Sequence, residues 1–184
     1  MTPWKEFLSD FQHRIIEEAD AIAQKVIHPK ETFSSSLFDP PFIAHNKDER
    51  KPGEGRSGIY LFVVDEAVEM SYNQVMAWNS VDRSGAGFKK YKALSLKQGD
   101  ILYLGSTQNS LMQRLGQHFG PLIKKGNPKG LALSHPKRSL LSGKVHAVAF
   151  PLKSGFEEYG PLLLTKVEQQ LHHTLNPKTG SSKV

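Results

Sequence analysis

Residues 58–64 read GIYLFVV and residues 100–105 read DILYLG. The first is an unbroken run of apolar, β-branched and aromatic side chains of strand length, entered from a Gly-rich turn, and it predicts a central strand. The second has the same character and predicts its antiparallel partner, so the two define a hairpin with an unusually long insert, at about 66–99. Within that insert a helix is expected near Ser71 to Trp78.

Working outward, the hydrophobic period changes from two to about 3.6 residues. From Trp4 to Ile27, Phe7, Leu8, Phe11, Ile15, Ala19, Ile22, Ala23 and Val26 recur at three- and four-residue steps, which predicts a helix ended by His28-Pro29. Pro29 to Arg56 is rich in Ser, Pro, Lys and Gly, with Phe33, Leu37, Phe38, Phe42 and Ile43 as scattered anchors, and predicts an extended arm. After the hairpin, Asn109 or Ser110 is a candidate N-cap for a helix with Leu111, Leu115 and Phe119 on one face. Arg114 and His118 on that helix are i,i+4 neighbours and are expected to project together, away from much of the apolar stripe. Lys144 to Leu152 reads as a third strand with Pro151 at its end. Pro161 to Leu175 reads as a helix stopped by Asn176-Pro177. The fold class expected is α/β in the α+β sense: a small, mostly antiparallel central sheet flanked by helices, with an N-terminal helical extension. The division expected is an N-terminal helix and arm over 1–57 and a second unit over 58–184.

Composition narrows the chemistry. With 184 residues, 38% hydrophobic and 23% charged, the chain is long enough for one core and too balanced to stay disordered. It holds no cysteine, which removes disulfides, thiolate zinc sites and thiol catalysis and leaves oxygen or imidazole as metal ligands. No run of 18 apolar residues occurs, and the charged N-terminus is unlike a signal peptide, so a cytoplasmic protein without a membrane partner is expected. The net charge is +6, but it is segregated: Lys89 to Lys144 holds eleven basic residues and one acid, a net of +10, leaving 13 basic and 17 acidic residues elsewhere. A phosphate backbone is the partner such segregation favours, because each phosphate neutralised releases counterions. Lys89, Lys90, Lys92, Lys124, Lys125, Lys137 and Arg138 are the candidate contacts. Trp78, Phe88 and Tyr91 lie among the insert's lysines and suit DNA contact, although packing against the core is the commoner fate of such aromatics.

Five features then occur in order: Gly58-Ile59-Tyr60; Tyr103-Leu104-Gly105 followed by Ser106; Arg114 and His118-Phe119 on the next helix; Glu168 in the phrase Val167-Glu168-Gln169-Gln170-Leu171; and Leu175-Asn176-Pro177. Together they resemble the GIY-YIG nuclease superfamily over about residues 58 to 177. The resemblance implies a metal-dependent endonuclease cutting double-stranded DNA, with Tyr60, Tyr103, Arg114, His118 and Glu168 as its catalytic set. Glu168 corresponds to the ligand of one Mg²⁺, or Mn²⁺, an ion suited to few carboxylates and several waters. Arg114 supplies a permanently charged fork matched to phosphate. Tyr60 corresponds to a general base or water-positioner, a role that needs its pKa of about 10 lowered by nearby cations. Tyr103 orients water or phosphate, and His118 accepts a proton from Tyr60 or hydrogen-bonds the phosphate. The tyrosines lie 43 positions apart, far more than in compact members, which points to the restriction-enzyme branch with its longer inserts. An Asn usual beyond the Glu helix is missing, since position 180 is Gly; Asn176, Ser181 and Ser182 are the alternatives. One centre per chain implies a homodimer on DNA for double-strand cutting. The alternative functions are a structure-selective repair or recombination nuclease and a catalytically inactive DNA-binding module.

Overall fold

The computed structural model describes residues 3–46, 55–81, 87–88, 91–120 and 130–179. In chain order these form helix α1 (Pro3–Ile27), strands β1 (Phe42–Ala44), β2 (Gly58–Val64) and β3 (Val68–Met70), helix α2 (Tyr72–Asn79), strands β4 (Leu94–Leu96) and β5 (Ile101–Thr107), helix α3 (Leu111–Phe119), a 3₁₀ turn (Pro136–Leu141), strand β6 (Val145–Pro151), a second 3₁₀ turn (Glu157–Tyr159) and helix α4 (Gly160–Leu175). Among the described residues, one sheet has the order β1-β6-β2-β5 with every neighbour antiparallel. Helices and an antiparallel sheet make the class α+β, as expected.

Every residue of β2 is buried, which explains why its sequence shows no alternation. Ile59, Leu61 and Val63 face one side, where Ile15, Ala19, Ile22 and Ala23 of α1 and Leu163, Leu164, Val167 and Leu171 of α4 cover the sheet. Tyr60, Phe62 and Val64 face the other, beneath Leu111, Leu115 and Phe119 of α3. β2 and β5 pair as the expected hairpin, with Tyr60 opposite Gly105 and Phe62 opposite Tyr103. Opposed residues share a face, so both tyrosines project toward α3 and sit diagonally across the two strands.

The insert holds more than the expected helix. β3 and β4 pair across its base, Val68 to Leu96 and Met70 to Leu94. Ser71 caps α2 in a reciprocal box with Gln74. Trp78 and Phe88 are fully buried with ring centroids 5.0 Å apart, and Tyr91 packs on the same cluster, so these aromatics belong to the core. The arm wraps the sheet as expected and also adds β1, which pairs with β6 at Phe42 to Ala149 and makes Val145–Pro151 an interior strand. It is tied to α1 by the buried Glu18 carboxylate, which accepts from Ser36 N at 2.8 Å, Ser36 Oγ at 2.6 Å and Ser35 Oγ. Beyond α4, Lys178 N and Thr179 N donate to the carbonyls of Ile101 and Leu102, both at 2.9 Å, along β5. Among the described residues no helix is long and apolar enough to cross a membrane.

Candidate active site

β2, β5, α3 and α4 each bring a polar side chain to one place. From the second turn of α3, Arg114 Nε donates to Tyr60 Oη at 3.0 Å, and Nη1 donates to Gln117 Oε1 at 2.7 Å. Tyr60 Oη lies 3.0 Å from His118 Nε2, and the Tyr60 and Tyr103 rings stack with centroids 6.2 Å apart at 19°. Tyr103 is hydrogen-bonded to both Tyr60 and Arg114. Glu168, half-buried on α4, accepts from Ser106 at the end of β5 and feels the charge of Arg114. Tyr60, Tyr103, Arg114 and His118 are therefore in contact, and Glu168, held by Ser106, lies near enough for its charge to act on Arg114 and both tyrosines.

The motif glycines are explained by room. A Cβ on Gly105 would stand 2.6 Å from Tyr60 Oη and 3.0 Å from Tyr103 Cε1. A Cβ on Gly58 would stand 2.3 Å from the Phe150 carbonyl oxygen. Neither atom fits, so side chains at 58 and 105 would push β2, β6 and Tyr60 apart.

Electrostatics departs from expectation at Tyr60. Burial raises its pKa well above the usual phenol value, with Tyr103 adding to the rise, and Arg114 only partly opposes this. Tyr103 is also raised by burial, against Arg114. The expected lowering of Tyr60 by surrounding lysine and arginine does not occur, because the phenol is fully buried and one guanidinium cannot offset its desolvation. Arg114 loses some basicity to burial, but the two tyrosine oxygens more than restore it, so the guanidinium is held charged. Glu168 is raised by burial and restrained by its hydrogen bonds from Ser106 and by Arg114.

His118 is a second correction. It does not project away from the apolar stripe: it is 0% exposed, with Tyr60, Phe62 and Tyr103 at ring-centroid distances of 5.2, 5.1 and 4.8 Å. Burial and the charge of Arg114 lower its pKa well below the ordinary value, so the ring is neutral and has no solvent-facing atom for a phosphate. Arg138 is a third. It is also 0% exposed; its guanidinium lies 4.7 Å over the Trp78 ring and donates to Leu131 O at 2.6 Å and Trp78 O at 3.2 Å. Such a group holds the protein together and does not present itself to DNA. Lys92 and Lys137 are exposed as expected. Lys89, Lys90, Lys124, Lys125, Ser181 and Ser182 lie outside the described residues.

Asn176 adopts the left-handed conformation (φ 43°) that closes α4, its N–H reaching His172 O at 3.2 Å. His172 Nε2 stands 3.9 Å from Glu168 Oε1, with its pKa lowered by burial and by His173. Two partners of the site were given no role by the sequence reading. Ser106 had a signal, since it stands in the motif pattern directly after Tyr103-Leu104-Gly105. The Leu131 amide, 3.0 Å from His118 Nδ1, had none, because any residue supplies an N–H.

No protein-family model, curated protein or solved structure matches the chain. The site must be read from its own chemistry.

Proposed function

We propose that this protein is a metal-dependent endonuclease of GIY-YIG type that hydrolyses phosphodiester bonds in double-stranded DNA, acting as a restriction enzyme. The observation that carries the reading is the convergence of Tyr60, Tyr103, Arg114 and Glu168, drawn from four elements, around a permanently charged guanidinium bonded to two phenols. Phosphodiester hydrolysis needs stabilised charge on the non-bridging oxygens, an oriented water and relief of charge on the departing oxygen. Arg114 answers the first need as a fixed cation, and the hydroxyl of Tyr103, the less buried of the two phenols, the second.

Glu168 fits a single Mg²⁺ or Mn²⁺: it is one partly exposed carboxylate, oriented by Ser106, and among the described residues it is not part of any group of three acidic or imidazole side chains able to hold a metal. That donor set suits an ion that keeps most of its waters. Bound there, the ion supplies positive charge for the leaving oxygen. The basic stretch from Lys89 to Lys144 supplies the phosphate-backbone contacts, and a homodimer on DNA accounts for cutting both strands with one centre per chain.

The test is digestion of supercoiled plasmid with Mg²⁺ or Mn²⁺. Discrete fragments are expected; nicked or smeared product favours a structure-selective nuclease, and binding without product an inactive module. Glu168→Ala should abolish cutting while DNA binding persists, and cutting at the wild-type rate would remove Glu168 from the site.

A further inference from the structure

The neighbours of His118 decide which of its ring nitrogens carries the proton. The Leu131 amide N–H donates to Nδ1 at 3.0 Å. An amide nitrogen donates only, so Nδ1 must offer its lone pair, and a neutral imidazole then carries its hydrogen on Nε2. Nε2 lies 3.0 Å from Tyr60 Oη and is the donor in that contact. Arg114 Nε–H donates to the same oxygen, also at 3.0 Å. A phenol accepts two hydrogen bonds and donates one, so with both acceptor positions filled its own proton is directed to its remaining neighbour, Tyr103.

Resting on the nuclease reading, we propose that His118 is a positioning residue, locked as the Nε2–H tautomer by the Leu131 amide, which holds the Tyr60 oxygen in place and does not accept the Tyr60 proton. Tyr60, 0% exposed, becomes a fully hydrogen-bonded support, and the half-buried Tyr103 is where the hydroxyl network meets substrate. The alternative tautomer would set Nδ1–H directly against the Leu131 N–H, two donors face to face in a buried site. Protonating Nε2 of an Nδ1–H ring meets the same conflict.

The lock is held from outside the site. Leu133 N donates to His118 O at 2.9 Å, which fixes the end of α3 to the loop segment carrying Leu131. Arg138 Nη1 grips that segment at Leu131 O (2.6 Å) and Gly130 O (3.4 Å), while its Nε and Nη2 hold Trp78 O of α2 at 3.3 and 3.2 Å. The buried arginine thus connects the insert to the peptide that sets the tautomer.

The experiment has two arms. Histidine-¹⁵N-labelled full-length protein is examined by two-bond ¹H–¹⁵N NMR; of its eight histidines, the resonance pair lost in His118→Gln belongs to His118. A pyridine-type Nδ1 and a pyrrole-type Nε2 are expected, and the reverse assignment overturns the proposal. In the second arm, His118→Gln, which places an N–H near the former Nε2, should cleave DNA within about tenfold of wild type, whereas His118→Ala should fall by about 100-fold or more. Glutamine as slow as alanine, with both variants folded by near-ultraviolet circular dichroism, overturns it equally. A wild type that cuts no DNA sinks the nuclease reading alone, and the NMR arm still decides the tautomer.

Discussion

At the scale of single residues, the site is defined by what fills each hydrogen-bonding position and by what has no room to enter. Gly105 lies opposite Tyr60 across the β2–β5 pair, and the missing Cβ is the space in which the Tyr60 hydroxyl sits. Tyr60 cannot swing aside cheaply, because its oxygen is held by Arg114, His118 and Tyr103. Gly105→Ala should therefore cost about 1–3 kcal/mol of stability as overpacking and reduce cleavage more than that loss of fold explains; urea melts and plasmid digestion on the same sample separate the two. His118 gives a pH prediction. Its folded pKa is depressed well below the unfolded value of 6.5, so below that pH the unfolded chain binds a proton the native chain does not. The stability it permits is present in full above pH 6.5 and falls as the pH drops beneath it. Thermal melts from pH 7.5 to 5 should fall more steeply in the wild type than in His118→Gln, and parallel curves would remove the buried neutral imidazole.

Elements position these residues by simple periodicities. β2 and β5 place Tyr60 and Tyr103 on one face because opposed residues in an antiparallel pair share a face. α3 then lays Arg114 and His118, one turn apart, across them, its N-terminus set by Ser110 accepting from Gln113 N. The peptide at Gly130 and Leu131 is held by Arg138, a buried cation that donates to carbonyls and lies over the face of Trp78. Arg138→Met keeps most of the volume but strands several carbonyls, and a loss of about 2–5 kcal/mol is expected from urea titration. Because Arg138 touches no solvent, DNA affinity measured in the folded variant should keep the wild-type salt slope. A shallower slope would return Arg138 to the DNA-contact set.

For the whole molecule, the sheet separates two jobs. The face under α1 and α4 is apolar core, joined from the N-terminal side by the helix and by β1 of the arm. The opposite face carries Tyr60, Tyr103, Arg114 and His118, with the insert's Trp78 and Phe88 in the same core, while Glu168 reaches Ser106 at the end of β5 from α4. The stretch from Lys89 to Lys144 carries a net +10 in the sequence and contains β5 and α3, two of the elements that build the site. DNA binding should therefore weaken steeply with salt, log K falling by about 0.9 per phosphate neutralised for each unit of log salt. Fluorescence anisotropy between 50 and 200 mM salt is the check, and a flat response would exclude the basic segment from the interface.

Local pattern was sufficient for much of this. The runs at 58–64 and 100–105, the α3 and α4 periodicities with their Ser110 and Asn176-Pro177 boundaries, and the order Tyr60, Tyr103, Arg114, His118, Glu168 were all legible, since each rests on spacing along the chain. The three-residue strands β1, β3 and β4 were not, because so few positions carry no readable alternation and their pairing partners lie far away in sequence. The raised pKa of Tyr60, the buried neutral His118 and the conversion of Arg138 from expected DNA contact to internal clasp were likewise invisible. Each is a property of dielectric and of partners: the Leu131 amide 13 residues from His118, and the Trp78 carbonyl 60 residues from Arg138. A side chain's chemistry is written in the sequence, but the water it loses and the groups that replace that water are settled only when distant segments pack.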